Sequence, residues 1–246
     1  MSNWKLLIVD GKSHLVDLDS KIIDIPKFGR FPSKSISNRA DNLSFDFLGS
    51  KCLLIDYSLT DIHSSLLRGP QIISPKDIAW IIYKSGLSTG DSVVEAGSGS
   101  AALTVALAQV VAPDGKVFTF ESNSKHVGIA KFNIDMSPWK DLVEFREEEL
   151  DENTTSIEAS VVILDLPNPQ NLVGWSRKSL KSGGLLFCYL PTINQVEALL
   201  PELNNWSAVE IVETMQRSWR SNLSALRPES TMLGHTGFIV SARHFD

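Results

Sequence analysis

The sequence has few cysteines, no long apolar runs and no excess of positive charge, and each absence excludes a class of protein. Its 246 residues include two cysteines, Cys52 and Cys188, too few for a disulfide framework or a cysteine-ligated metal site. No apolar run reaches membrane-spanning length, and no basic stretch followed by a long apolar one opens the chain. We therefore expect a cytoplasmic protein with no membrane segment and no metal.

The charge is uneven along the chain. The net charge is -6, which argues weakly against a polyanionic partner. Residues 141–160 alone hold eight acids and one arginine, a charge of -7, so the remainder carries about +1. A basic surface outside this segment is compatible with the sequence, and net charge leaves nucleic-acid binding open.

Two regions differ in their pattern of apolar residues. Residues 4–60 read as short strands, with Asp10–Gly11 as the turn of a hairpin and no helix of useful length. From residue 91 strand-like and helix-like stretches alternate, which is typical of parallel βαβ units, and the last two strands follow each other as an antiparallel pair. We predict a small β-rich domain over residues 1–66 and an α/β domain over residues 67–246.

The stretch EAGSGSAALT (Glu95–Thr104) joins a predicted strand to a predicted helix, the context in which a glycine-rich loop binds ligands. Gly97 and Gly99 allow the backbone to approach a ligand closely, and the helix offers free N–H groups and the positive end of its dipole. These groups hold a carboxylate as readily as a phosphate. A tight turn with a purely structural role is the alternative.

Acidic residues near this loop indicate an adenosine cofactor. Glu121 ends the next strand, 22 residues beyond Gly99, where a carboxylate accepts hydrogen bonds from ribose hydroxyls. NAD and S-adenosylmethionine both fit this pattern. Glu95 favours S-adenosylmethionine, because an acid there can organise the loop and meet the cationic methionine end, whereas it repels a pyrophosphate. Glu148 or Glu149, after the third strand, is placed to accept the adenine amino group.

The stretch VVILDLPNPQ places Asp165 at the end of a predicted buried strand, directly before a turn with two prolines. Ligands bind at the carboxyl ends of parallel strands, and a carboxylate there can accept a hydrogen bond from a substrate amine. Pro167 and Pro169 would stiffen the loop that frames the pocket. An Asp that only caps the strand is the alternative.

Five stretches together resemble the tRNA (adenine-N1)-methyltransferases that modify T-loop positions 57 and 58. They are RGPQIISPKD (Arg68–Asp77), EAGSGSAALTVALA, DLPNP, YLPTINQV (Tyr189–Val196) and RPESTMLGHTGFIVSARH (Arg227–His244). The resemblance covers the chain from Arg68 to its end. It implies a class I S-adenosylmethionine-dependent methyltransferase fold: a Rossmann-like, mainly parallel sheet with an antiparallel C-terminal hairpin, after a small barrel-like domain. It also implies a homotetramer with tRNA as its partner.

The resemblance implies roles for individual residues. Asp165 would hold the target adenine through N6, and Tyr189 would line the base pocket, so these two are the expected catalytic residues. The expected cofactor-binding residues are Gln71, Ile72, Glu95, Gly97, Ser98, Gly99, Ser100, Ala101, Glu121, His126, Glu148, Glu149 and Asp165. The expected substrate-binding residues are Tyr189, Arg227 and His235, with Arg227 in contact with phosphate. For His235, hydrogen bonds within the fold or at a subunit contact are the alternative.

Four positions depart from the family pattern. Ala101 stands at the third small position of the glycine loop, where Gly is usual, a change that we expect to be tolerated. Glu149 stands where Asp is usual, and Ser74 and Gln170 stand where many members carry an aromatic residue. The expected reaction is methyl transfer from S-adenosylmethionine to N1 of adenine 57, 58 or both. The missing aromatics keep open a non-catalytic tRNA-binding subunit of a methyltransferase assembly. A class I methyltransferase with another substrate is the second alternative, because DLPNP loosely resembles the Asn/Asp-Pro-Pro-aromatic motif of nucleic-acid amino methyltransferases, although it lacks the aromatic residue.

Overall fold

The first part of the chain forms a small β-rich unit with its own apolar core. The structure, a computed structural model, describes residues 3–39 and 43–245. The predicted domains also include residues 1, 2, 40–42 and 246, which lie outside the described residues. The strands of this unit are β1 (Trp4–Val9), β2 (Lys12–Asp17), β3 (Ile22–Ile25), β4 (Gly29–Pro32), β5 (Ser44–Phe47) and β6 (Ser50–Ile55).

These strands pair in antiparallel fashion. One sheet has the order β2-β1-β6-β5, and β3 and β4 form a separate hairpin. Asp10 and Gly11 both have positive φ, 46° and 80°, as a tight turn between twisted strands requires, so the predicted hairpin is confirmed. The core of the unit is built from apolar side chains that include Leu7, Val16, Ile23, Phe31, Ile36 and Leu54.

Two short helices lie in or beside the region predicted to lack them. Helix α1 (Lys34–Ser37) is a single turn that buries Ile36 completely. Helix α2 (Leu59–Ser65) begins with a capping box, in which Ser58 and Asp61 bond to each other's backbone N–H groups. Ser58-x-x-Asp61 is a helix-start signal that the sequence does contain. Helix α2 begins at the end of residues 4–60, for which no useful helix was expected, and it was not predicted from the sequence.

The rest of the chain is built on a seven-stranded sheet. Its strands are β7 (Ser92–Ala96), β8 (Lys116–Phe120), β9 (Val143–Arg146), β10 (Ala159–Leu164), β11 (Leu180–Leu190), β12 (Ser207–Val212) and β15 (Phe238–Arg243). The order is β12-β15-β11-β10-β7-β8-β9. Neighbours from β11 to β9 are parallel, whereas β15 is antiparallel to both β11 and β12. The predicted fold class is confirmed, including the antiparallel pair.

Helices cover both faces of this sheet: α3 (Pro75–Ser85), α4 (Ala102–Val111), α5 (Ser124–Asp135), α6 (Val173–Ser179) and α7 (Ile193–Leu199). Alternate residues of a strand enter different core clusters, because strand side chains point to opposite faces in turn. In β11, Phe187 and Tyr189 pack on the face of α3 and α4, while Leu186 and Cys188 pack on the face of α6 and α7. Within residues 3–39 and 43–245, no helix has the length and apolar character required to cross a lipid bilayer.

A long excursion separates the two C-terminal strands. Residues 213–237, which we call the 213–237 segment, contain one two-stranded ribbon formed by β13 (Trp219–Arg220) and β14 (Arg227–Pro228). The apolar side chains of Met215, Trp219, Leu223, Leu226, Met232 and Leu233 are exposed on it. Both ends of the segment lie at the carboxyl edge of the sheet, beside the last residues of β11.

Candidate active site

A cavity of about 440 Å³ lies at the carboxyl ends of the parallel strands. The segments that follow β7, β8, β10 and β11 contribute to it, whereas the predicted contact after β9 does not. The lining residues include Pro70, Gln71, Ile73, Gly97, Gly99, Glu121, Asn123, His126, Asp165, Leu166, Pro167, Tyr189, Pro191 and Thr236. The volume is in the range of small-molecule sites, and the position is the one at which open α/β sheets bind ligands.

The glycine loop between β7 and α4 follows a backbone path that favours glycine. Gly99 has a φ of +55°, and a Cβ there would lie 3.3 Å from Cγ of Pro70. Ala101 also adopts a left-handed conformation, with a φ of +62°, immediately before α4. Left-handed backbone costs a residue with a side chain about 1 kcal/mol. Ala101 therefore carries strain at the third small position of the loop.

Two serines of the loop point away from the cavity. The Ser98 hydroxyl is buried 2.7 Å from Thr119 Oγ1. Ser100 is also buried, and its carbonyl oxygen accepts a hydrogen bond from Asn133 Nδ2 at 2.8 Å. Asn133 bonds in addition to both backbone groups of Leu67, at 2.9 and 3.0 Å. The Ser98 hydroxyl and the Ser100 carbonyl thus anchor the loop, and neither serine lines the cavity.

Glu121 lies in the cavity wall with its carboxylate held by two backbone groups. Oε2 accepts a hydrogen bond from Gly99 N–H at 2.9 Å, and Oε1 accepts one from Asn123 N–H at 2.8 Å. His126 Nδ1 lies 3.6 Å from Oε2, and His126 also lines the cavity. A carboxylate has about four acceptor positions, so Glu121 keeps acceptor capacity for two hydroxyl donors of a ligand.

Glu95 lies beneath the loop rather than in the cavity. It is 2% exposed, and its Oε2 accepts hydrogen bonds from Thr104 Oγ1 at 2.5 Å and Thr119 Oγ1 at 2.6 Å. Burial raises the pKa of Glu95 to about 7 against the effect of the two hydroxyls, and the charges of Asp165 and Glu121 add to the rise. Glu95 organises the loop, as predicted, but the predicted meeting with a cationic ligand is wrong because the side chain is enclosed.

Asp165 follows β10 directly and lines the cavity. Its backbone N–H donates to the Ala96 carbonyl at 2.5 Å, and Gly97 N–H donates to the Asp165 carbonyl at 3.4 Å, which fixes the turn beside the glycine loop. In the part of the chain that the structure describes, no hydrogen bond occupies its carboxylate. Burial, and next the charge of Glu121, raise the pKa of Asp165 to about 7. The side chain is thus placed to accept a ligand's donor.

Tyr189, the second-last residue of β11, also lines the cavity. Its hydroxyl donates to Asp77 Oδ2 at 3.3 Å, and burial raises the pKa of this hydroxyl well above its usual value. A Cβ at Gly237 would lie 2.6 Å from Tyr189 Cζ, so only glycine fits behind the ring. Sequence reasoning placed Tyr189 correctly at a strand end but missed both Asp77 and Gly237 as its supports.

Comparison with known proteins places this site in a family. Residues 63–230 match the family described as "tRNA methyltransferase complex GCD14 subunit". The chain belongs to this family. A protein of Methanocaldococcus jannaschii named tRNA (adenine(57)-N(1)/adenine(58)-N(1))-methyltransferase TrmI is 31% identical over 224 residues, which are 79% of each chain. TrmI of Thermus thermophilus, a tRNA (adenine(58)-N(1))-methyltransferase, is 31% identical over 174 residues, 70% of this chain and 68% of that protein.

Solved structures share the whole architecture. A SAM-dependent O-methyltransferase from Thermotoga maritima superposes with a TM-score of 0.84 at 26% identity, and the match covers 100% of this chain and 94% of that one. The tRNA (m1A58) methyltransferase TrmI from Aquifex aeolicus superposes with a TM-score of 0.77 at 26% identity, covering 100% of this chain and 98% of its own. Both the catalytic fold and the small β-rich unit lie within these superpositions.

The segment before α3 forms one wall of the cavity, but one of its two lining residues differs from the prediction. Gln71 lines the cavity as expected. Ile73, and not Ile72, is the apolar residue beside it, while Ile72 packs against the core cluster of α3 and α4. This segment is irregular, so no periodicity tells which of the two isoleucines faces the core.

The two candidate acids after β9 differ in position. Glu149 lines an adjoining cavity of about 520 Å³, which shares Leu166 and Pro167 with the first one. Glu148 is exposed and lines neither cavity. Of the two, Glu149 is therefore the acid next to the site.

Two residues expected to contact substrate lie outside the cavity. Arg227, on β14, is exposed and donates to Ser230 Oγ at 3.2 Å. His235 bonds to Glu213 Oε1 at 2.6 Å and to the Pro191 carbonyl at 2.9 Å, and these contacts raise its pKa. His235 thus forms hydrogen bonds within the fold, which is the alternative to a substrate contact. Across residues 3–39 and 43–245, no three His, Cys, Asp or Glu side chains cluster as a metal site.

Proposed function

We propose that the chain transfers a methyl group from S-adenosyl-L-methionine to N1 of adenine in the T-loop of tRNA, at position 58, 57 or both. The observation that carries the proposal is the convergence of Glu121, Asp165 and the glycine loop on one cavity of a methyltransferase fold. The names of the TrmI relatives supply the substrate class.

The residues of the site fit S-adenosylmethionine. Glu121 has acceptor capacity for the ribose hydroxyls, since backbone N–H groups take only part of it. Glu149, in the adjoining cavity, accepts the adenine amino group, and His126 and Gln71 border the same ligand. Gly97 and Gly99 leave room for close backbone approach. When bound, the cofactor supplies an electrophilic methyl group on a cationic sulfonium.

On the acceptor side, Asp165 positions the base. Neutral adenine N1 has a lone pair, so the protein needs to orient the base rather than remove a proton. The Asp165 carboxylate accepts a hydrogen bond from N6, and its negative charge stabilises the positive charge that methylation places on the ring. The charge stabilisation requires the ionised form, so the raised pKa of Asp165 bears directly on activity.

Tyr189 provides the apolar wall for the base. A T-loop adenine has to leave its stack in folded tRNA, at a cost of a few kcal/mol, and an aromatic wall recovers part of that. Among the described residues, Tyr189 is the one phenol or phenyl ring that lines the cavity. Ser74 and Gln170 add no stacking surface, and the Ser74 hydroxyl is bonded to Asp77 at 2.7 Å. We expect stacking on the base to come from Tyr189 alone.

The proposal extends to the assembly, a cytoplasmic homotetramer that binds tRNA. The exposed apolar side chains of the 213–237 segment support contacts between copies, since monomers rarely expose such surface. Arg227, exposed on the same segment, is available to phosphate. The mass in solution, from light scattering during gel filtration, tests this part: a mass four times that of the chain is expected.

The reaction is tested with radiolabelled S-adenosylmethionine and an unmodified tRNA transcript, followed by digestion and identification of the methylated nucleoside. Transcripts in which adenine 57 or 58 is replaced by guanine assign the position. Label in 1-methyladenosine, lost with one or both replacements, supports the proposal. Tight tRNA binding without incorporation of label would instead identify a non-catalytic subunit. Label in another nucleoside would show that the enzyme has a different substrate.

A further inference from the structure

Asp77, at the start of α3, is a fully buried acid that the proposed reaction does not use. Its two oxygens accept hydrogen bonds from five side-chain donors: Lys76 Nζ (2.9 Å), Thr214 Oγ1 (2.5 Å), Ser74 Oγ (2.7 Å), Thr236 Oγ1 (2.7 Å) and Tyr189 OH (3.3 Å). Burial alone would raise the pKa of Asp77, but the hydrogen bonds, led by that of Thr214, outweigh burial and lower it. The five donors thus favour the ionised form of Asp77 and fill its acceptor positions.

The donors come from three separate parts of the chain. Ser74 and Lys76 belong to the start of α3, Tyr189 to the end of β11, and Thr214 and Thr236 to the two ends of the 213–237 segment. Lys76 Nζ bonds to both threonines as well, at 3.0 and 2.6 Å. The Lys76–Asp77 ion pair thus connects the two ends of the 213–237 segment to each other and, through Tyr189, to the sheet.

Only two of the five donors line the cavity, Tyr189 and Thr236. The other three donors and Asp77 itself do not line the cavity. Gly237 packs closely against the Tyr189 ring, because a Cβ there would overlap it. The position of the ring is therefore set by this packing and by the hydrogen bond from its hydroxyl to Asp77.

We infer that Asp77 is a positioning residue, which holds Tyr189 and Thr236 as one unit against the base that the cavity accepts. The inference rests on the proposed function for the identity of that base. A shift of about 1 Å in a positioning group can cost on the order of 100-fold in rate. The negative charge of Asp77 should therefore influence turnover through Tyr189, without contact between Asp77 and the substrate.

The first test is a double-mutant cycle in the tRNA methylation assay, with wild-type turnover as the separate test of the proposed function. Asp77→Asn keeps the size of the side chain but presents an amide donor to a group of donors. We expect Asp77→Asn and Tyr189→Phe each to lower kcat about 10-fold, and the double variant to lose about the same as the more affected single variant. The KM for S-adenosylmethionine should stay within about twofold.

If Asp77 only stabilised the fold, the losses in kcat of the single and double variants would follow a different pattern. Losses that multiply, about 100-fold in the double variant, would overturn the inference, because they mean that Asp77 and Tyr189 act independently. Equal losses in kcat and in cofactor affinity for Asp77→Asn would overturn it as well. Tyr83→Phe is the matched control, since it removes the same hydroxyl from a ring that is 86% exposed.

The second test needs no substrate. The chain has three tyrosines, Tyr57, Tyr83 and Tyr189, so protein labelled with 3-fluorotyrosine should give three fluorine resonances. Tyr189→Phe identifies the resonance of Tyr189 by its loss. We expect Asp77→Asn to shift that resonance and to leave the resonance of Tyr83 in place. An unmoved Tyr189 resonance would overturn the inference, whatever the substrate.

A second variant covers the case in which Asp77→Asn does not fold. Thr214→Val has nearly the same shape, removes one of the five donors and lies outside the lining of the cavity. The loss of this donor should relax the carboxylate and shift the Tyr189 resonance in folded protein. If Thr214→Val folds and its Tyr189 resonance matches that of the wild type, the network does not set the position of the ring.

Discussion

The Glu121 carboxylate accepts a hydrogen bond from the backbone N–H of Gly99, with 2.9 Å between the two atoms. The residues are 22 positions apart and lie on the turns that follow neighbouring parallel strands, β7 and β8. The bond fixes the glycine loop against the second turn and orients the carboxylate toward the cavity. Glu121 therefore has two functions, since it shapes the loop and offers acceptors to a ligand.

Replacement of Glu121 by Gln should weaken cofactor binding. An amide offers one acceptor oxygen, so one of the two backbone N–H groups would face an NH2 donor and the ligand would lose an acceptor. We expect an S-adenosylmethionine Kd about 10- to 100-fold higher, measured by calorimetric titration. Glu158→Gln, at a side chain that is 82% exposed, is the matched control and should bind as the wild type does. Similar Kd values for the two variants would contradict this role of Glu121.

Gly237 and Gly234 provide a matched pair of substitutions. A Cβ at Gly237 would lie 2.6 Å from Tyr189 Cζ, whereas a Cβ at Gly234 would have no neighbour within 4 Å. Gly237→Ala should therefore displace the ring, destabilise the fold by about 1–3 kcal/mol and lower kcat. Gly234→Ala should change neither by more than about 0.5 kcal/mol. Chemical denaturation and the methylation assay measure both effects, and equal behaviour of the two variants would disprove the proposed packing.

Much of the fold is predictable because its pattern is imposed by burial. Strands of a parallel sheet covered on both faces are mainly apolar, as β10 is apart from Ser160, and helices between them follow from the connection rule. The short helix α2 was missed because seven residues give too little periodicity, although its capping box is readable. Glu121 and Asp165 were found because strand ends mark the ligand edge of such a sheet.

Other parts of the site depend on contacts between distant residues. Asp77 collects donors from residues 74 to 236, so its role follows only from the tertiary structure. Glu95 was misplaced for a different reason, since its distance from the glycines says nothing about the face on which it lies. Strand alternation does contain that information, because Val93 packs on the α4 face and Glu95, two residues later, shares that face with Thr104.

The buried Glu95 should make the protein less stable as pH rises. Burial raises its pKa from 4.5 to about 7, so between these values the folded protein keeps a proton that the unfolded chain releases. The free energy of unfolding therefore falls as pH rises through this window, and Glu95 accounts for at most about 3 kcal/mol of the fall. Above the window the contribution of Glu95 is constant. Glu95→Gln should flatten the curve between about pH 5 and 8 in urea titrations. The pKa of Asp165 is raised as well, so Asp165→Asn measures the contribution of that second carboxyl group to the slope. An unchanged slope in Glu95→Gln would mean that Glu95 does not titrate in this pH range.

Asp165→Asn should separate charge from hydrogen bonding at the reacting base. The amide oxygen can still accept from N6, but it carries no charge to stabilise the methylated ring, so we expect a loss in kcat on the order of 100-fold. Because burial and the charge of Glu121 raise the pKa of Asp165 to about 7, wild-type kcat/KM should rise with pH through that value, where the carboxylate forms. The Asp165→Asn profile should lack this rise, while its S-adenosylmethionine Kd stays close to that of the wild type.

Asp114→Asn is the matched control, at an exposed carboxylate beyond the other end of the sheet, and it should retain both the rate and the rise. An Asp165→Asn enzyme with wild-type turnover, or with the same rise near pH 7, would assign the titrating group and the charge stabilisation to another residue.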